Sequence, residues 1–135
     1  MRMRHPSGGW GLQWAMLILV VACSLGCDGS VQSVHITAQD FRFDPETIHL
    51  SSSRPVHLTL YNAGRESHEF GSSLLADQST VIESLAVGGQ PAEPGPLRIA
   101  PGRRMELVLR LSPGTYLFYC KVKGHSGMTG TFIVE

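Results

Sequence analysis

Cysteine is scarce in this chain of 135 residues, with three in all: Cys23, Cys27 and Cys120. An odd number, two near the N-terminus and one near the C-terminus, argues against a disulfide framework as the source of stability. Basic residues do not gather into a patch interleaved with aromatics beyond Arg2 and Arg4, so nothing points to a nucleic-acid partner. Charge is modest, at 16% Asp, Glu, Lys and Arg with a formal net charge of zero. Setting aside an N-terminal segment that holds Arg2 and Arg4 leaves nine of the 11 basic residues against 11 acidic ones, a balance of two negative charges. No apolar run is long enough to span a bilayer as a permanent helix, and no internal repeat is present. With 42% hydrophobic residues the chain can bury one core and hardly two.

The one sustained apolar run, Trp14 to Ala22, follows a stretch from Met1 to Gln13 that carries positive charge and no acidic residue. A basic start and a short apolar core are the marks of an export signal, here spanning residues 1–27, with the mature domain over 28–135. Cys23 and Cys27 follow directly, and a cysteine in this place resembles the lipobox of bacterial lipoproteins, whose first mature residue is acylated. Val20 to Cys23 supplies the usual small-residue pattern. Ser24 to Cys27 has the favoured glycine before cysteine, gives the longer apolar core and leads into the polar Asp28 and Gly29, which favours Cys27 as the lipid anchor over Cys23. The expected location is the periplasm or cell envelope, with the membrane reached through a lipid.

Alternating apolar runs recur along the rest of the chain: 34–38, 47–50, 56–61, 105–111, 115–120 and 131–134. Turn residues separate them, notably Asp44 with Pro45, Pro101 with Gly102, and Pro113 with Gly114. Such spacing predicts an all-β sandwich of antiparallel strands. Tyr116 and Phe118 share one face of their strand, as do Phe132 and Val134 of theirs, and these faces should fill the core. Between the runs 56–61 and 105–111, residues 74–85 have the pattern of a short helix with Leu74, Leu75, Ile82 and Leu85 packed inward, and residues 88–96, rich in Gly and Pro, read as an irregular loop.

The chemistry concentrates between Tyr119 and Glu135, where Cys120, His125 and Met128 lie on one short loop between two strand-like runs. Taken singly, each has an ordinary explanation: a buried small hydrophobe, a solvated imidazole, a core thioether. Together they are the donor types that a redox-active copper accepts in both oxidation states, soft sulfur for Cu(I) and imidazole nitrogen for Cu(II). A second imidazole must then come from elsewhere. His68 stands at the start of a strand just after the run 56–61, whereas His35, His49 and His57 alternate with apolar neighbours and should face solvent. Gly127 and Gly130 offer sharp turns beside Met128.

The segment from Val31 to Glu135 resembles the single-domain cupredoxins, the blue-copper family of plastocyanin and azurin. The likeness is carried by Ile36 to Pro45 as an opening strand and turn, by Val56 to Phe70 as the pair of strands that delivers the upstream histidine, and by Pro113 to Cys120 as the strand ending in the copper cysteine. The resemblance implies a Greek-key β-sandwich of about seven to eight strands, with a short helix or loop insertion. It also implies one type 1 copper ion held by His68, Cys120 and His125 with Met128 axial. The edge of His125 would lie near the surface as the port for electrons exchanged with a redox protein such as a cytochrome or oxidase, and the chain would act as a monomer. Glu69 departs from the family's pattern, in which Asn often follows the upstream histidine. A periplasmic copper chaperone, store or sensor is the alternative, although no Met- or His-rich tract is present. Catalysis is not expected: His-x-His pairs for a second copper site are absent, and Gly124 stands where a binuclear centre would need a second cysteine.

Overall fold

The computed structural model describes residues 29–135; the expected export segment and its cysteines, Cys23 and Cys27, lie outside the described residues. Among the described residues eleven strands form two sheets. In chain order they are β1 (Gln32–Gln39), β2 (Arg42–Asp44), β3 (Thr47–Leu50), β4 (Val56–Asn62), β5 (His68–Ser72), β6 (Val81–Val87), β7 (Gln90–Pro91), β8 (Leu97–Ile99), β9 (Arg104–Arg110), β10 (Gly114–Cys120) and β11 (Thr129–Val134). One sheet has the order β2-β1-β4-β9-β6-β7 and the other β3-β11-β10-β5-β8. The six expected strands are all present. The larger number arises from further strands, several of them short pieces at or near sheet edges, such as β2, β7 and β8.

The sheets are mixed rather than antiparallel throughout. β1 pairs in parallel with β4, and β3 in parallel with β11. The cause is topological: after the tight β1–β2 hairpin the chain crosses to the other sheet for β3 and returns as β4, so β1 and β4 meet without a hairpin between them.

Alternation decides which face of each strand is buried. Val56, Leu58 and Leu60 of β4 and Met105, Leu107 and Leu109 of β9 point inward from one sheet, each no more than 1% exposed. Phe70, Tyr116, Phe118, Phe132 and Val134 answer from the other. Phe118 is the hub, with Phe132 at 4.6 Å, Phe43 at 5.2 Å and Phe70 at 6.1 Å between ring centroids. Burying one such ring contributes about 1.5–3 kcal/mol. Because Phe118 sits two residues before Cys120 on β10, this aromatic cluster is also the floor beneath the candidate ligands.

The stretch expected to be helical is not. Only Ser73–Leu75 coils, as a single 3-10 turn capped by the Ser72 hydroxyl, and Ile82 and Leu85 lie on β6, where Leu85 is buried and Ile82 partly so. Val81, Ile82 and Val87 are β-branched, and pairing with β9 supplies the backbone partners that a helix would otherwise provide. A register shift between Ile82 and Ser84 lets both Ile82 and Leu85 pack toward the core despite their three-residue spacing. The region 88–96 is likewise not wholly irregular: Gly88 and Gly89 both take positive φ and turn β6 back into β7. Two consecutive left-handed residues are what a tight hairpin needs, and glycine adopts them at no steric cost.

Candidate metal centre

His68, Cys120 and His125 are drawn together at one end of the sandwich, all three buried, with their ligand atoms within 4.8 Å of one another. His68 opens β5 and Cys120 closes β10, and these two strands are hydrogen-bonded neighbours with Phe70 opposite Cys120. The sheet ladder therefore fixes the separation of the imidazole and the thiol, as pre-organisation requires. His68 Nδ1 lies 3.7 Å and His125 Nδ1 3.5 Å from Cys120 Sγ.

The loop that carries His125 is built from two successive turns. The His125 amide donates to the Val122 carbonyl at 3.0 Å, and the Met128 amide donates to the His125 carbonyl at 2.8 Å. The Cys120 amide donates to the Met128 carbonyl at 3.0 Å, closing the loop on itself. A separation of three residues between His125 and Met128 is thus the length of one turn, and it returns Met128 to a buried position beside Cys120, 1% exposed. The left-handed glycine of this loop is Gly124, at φ 93°, not Gly127 or Gly130. Gly130 lies within β11, where a Cβ would press on the Phe118 ring and stand 2.7 Å from the Glu46 carbonyl oxygen.

Burial dominates the electrostatics of His68. Desolvation pushes its pKa below the usual histidine value and the neighbouring His125 pushes it the same way, against the smaller opposing pull of Asp40 and Glu66. The neutral imidazole that a metal requires is the favoured form. His68 Nε2 is buried without a hydrogen-bond partner. Gly64 leaves the room for it, since a Cβ there would come within 3.1 Å of that nitrogen.

His125 differs from expectation. Its edge is not open to solvent: the residue is 3% exposed. The Phe41 ring meets it edge-on at 5.1 Å, and its Nε2–H donates to Glu66 Oε2 at 3.0 Å. A carboxylate accepts, so in the neutral tautomer that this contact selects the proton sits on Nε2 and the Nδ1 lone pair faces Cys120. Phe41 holds this position at φ 70°, an unusual conformation for a bulky residue.

Glu66, Phe41 and Asn62 have no ligand-like spacing in the sequence. Asn62 is fully buried, and its side-chain amide donates to the Glu66 carbonyl at 2.8 Å and the Ile99 carbonyl at 2.9 Å, while its oxygen accepts from the Gly64 amide. It is the peg around which the loop between β4 and β5 is wound. The only local signal is an Asn two residues before a Gly at a strand end, which marks a turn but not its role. Glu69, by contrast, follows His68 on β5 in register with Arg98 of β8, and its carbonyl accepts from the Lys121 amide. The other histidines behave as the alternation implied, with His35 and His49 exposed and His57 half-buried.

A groove of about 390 Å³ runs between Leu75, Pro94, Pro96 and Tyr119, and none of the four candidate ligands lines it.

Two imidazole nitrogens and one sulfur, converging in a buried pocket with a thioether on the same loop, fit copper in both oxidation states. Zinc fits less well, because a thioether is a poor ligand for it. No protein-family model and no curated protein sequence matches the chain. Solved structures do. An auracyanin from the photosynthetic bacterium Roseiflexus castenholzii is 18% identical with a TM-score of 0.56, covering 79% of this chain and 99% of that one. Auracyanin A, described as a "blue" copper protein from Chloroflexus aurantiacus, is 18% identical with a TM-score of 0.55, covering 78% and 100%. A multicopper oxidase is 16% identical with a TM-score of 0.57, and the match spans 77% of this chain but 44% of the oxidase. Over nearly its whole described length, therefore, the chain has the cupredoxin fold, with a His68–Cys120–His125 cluster at one end of its sandwich.

Proposed function

We propose that this protein is an exported electron carrier that holds one type 1 copper ion between His68, Cys120 and His125, with Met128 axial. The observation that carries the reading is the buried convergence of two histidine Nδ1 atoms on one cysteine sulfur. Copper bound there supplies one-electron chemistry by cycling between Cu(II) and Cu(I). The protein's part is to hold the donors still: β5 and β10 fix His68 and Cys120, the doubly turned loop fixes His125 and Met128, and the aromatic cluster around Phe118 excludes water from beneath. Small rearrangement on electron transfer is the functional return on that rigidity.

Carriage rather than catalysis is the reading that a single mononuclear cluster of His68, Cys120 and His125 supports. A copper oxidase or nitrite reductase requires a second copper site. Export follows from the basic start and short apolar core of residues 1–27, with Cys27 or Cys23 as a lipid anchor. The partner is a redox protein such as a cytochrome or oxidase, met by a monomeric carrier.

The decisive variant is Cys120→Ser. It should abolish the thiolate-to-Cu(II) absorption of the copper-loaded protein while leaving the far-ultraviolet circular dichroism of the sandwich intact. A full band in that variant would rule out Cys120 as the ligand.

A further inference from the structure

We propose that Glu66 is a positioning residue for His125, and that its carboxylate biases a copper held there toward the oxidised state. The inference rests on the copper reading above. It starts from the 3.0 Å contact between His125 Nε2 and Glu66 Oε2, in which a buried imidazole, 2% exposed in its side chain, meets a carboxylate that is 62% exposed. An exposed glutamate is ordinarily free to swing into water, and such a pairing would then be worth little.

Here its backbone is clamped on both sides. The Glu66 carbonyl accepts from the fully buried Asn62 side chain at 2.8 Å, and the preceding amide, of Arg65, donates to Asp40 Oδ1 at 2.8 Å. Asp40 in turn precedes Phe41, whose ring packs against the same imidazole. Two loops that are distant in sequence are thus tied together over His125. The tie delivers a carboxylate and an aromatic edge to the place where open solvent was expected.

Two consequences follow from chemistry. A carboxylate that accepts from Nε2–H fixes the tautomer and ring orientation, and makes Nδ1 a stronger donor, as outer carboxylates do for metal-bound histidines generally. A negative charge one imidazole away from the metal also stabilises the more highly charged ion, so it favours Cu(II) over Cu(I). Glu69, also next to a ligand in sequence, lies beyond His68 on β5 and makes no contact of this kind among the described residues.

The test compares the copper-loaded full chain with Glu66→Gln, Glu66→Ala and, for a charge lost without the contact, Glu69→Gln, at one fixed pH. Redox titration should show a raised midpoint potential in both Glu66 variants and a smaller shift in Glu69→Gln. Nitrogen-15 correlation spectra of the metal-free proteins should place the His125 proton on Nε2 in the parent and in Glu66→Gln, which keeps an acceptor oxygen, and show mixed tautomers in Glu66→Ala. Equal potentials in the parent and Glu66→Gln, an equal shift in Glu69→Gln, or a parent His125 carrying its proton on Nδ1 would overturn the proposal. Absence of any thiolate band on copper loading would instead sink the copper reading, and the tautomer spectra would still decide whether Glu66 positions His125.

Discussion

Met128 and Cys120 are joined by a backbone hydrogen bond, yet their sulfurs have different tasks in the proposed site. The thiolate gives the strong bond and the colour. A thioether in the axial place is a weak ligand, so it adjusts the balance between Cu(I) and Cu(II) with little effect on whether copper binds. Met128→Gln should therefore keep a coloured protein with a lower midpoint potential, because amide oxygen stabilises Cu(II), and Met128→Leu should raise the potential by removing a ligand of the oxidised state. Cyclic voltammetry of the three proteins checks this, and unchanged potentials in both variants would mean that Met128 only fills the core. The clustering of His68, Cys120 and His125 was legible in the sequence because ligand chemistry restricts residue type: few side chains suit copper, and Cys120 and His125 lie with Met128 on one loop. Glu66, Phe41 and Asn62 were not legible. Glutamate, phenylalanine and asparagine have many uses, and their roles here come from contacts across the fold, such as that of Glu66 with His125, 59 residues away in sequence.

The strands were readable wherever one face is buried and the other wet, since alternation then records the fold directly, as in β4 and β10. Residues 74–85 misled for a physical reason. Leu74, Leu75, Ile82 and Leu85 have the spacing of a helix face, but Ile82 and Leu85 reach the core from a strand whose register shifts between them. Parallel pairings were hidden too, because alternation says which face is buried and nothing about which strand lies alongside. Gly130 tests how closely β10 and β11 are matched at the floor of the site. Gly130→Ala forces a methyl against the Phe118 ring and the Glu46 carbonyl, and neither backbone nor ring can yield without moving the aromatic cluster. The expected loss is about 3 kcal/mol, the upper end for overpacking, read as a lower denaturant midpoint with an unchanged slope. A midpoint within experimental error of the parent would show that the floor is looser than described.

At the scale of the whole molecule, the sandwich presents its candidate ligands at one end while the chain's N-terminus carries the expected address. Expressed in a bacterium with residues 1–27 in place, the protein should be exported and should partition with membranes. Cys27→Ser should release it from them if the favoured register is used, and Cys23→Ser should do so if the other is. Retention on membranes in both variants, with acylation unaffected, would remove the lipid anchor from the account. The central claim is that the cluster holds a copper which changes oxidation state in place, and the visible spectrum of the copper-loaded protein tests it most directly. The account predicts an intense thiolate-to-Cu(II) absorption that bleaches on adding a reductant and returns on reoxidation. A colourless protein that retains only Cu(I) through the same cycle would contradict it and mark the chain as a copper chaperone or store.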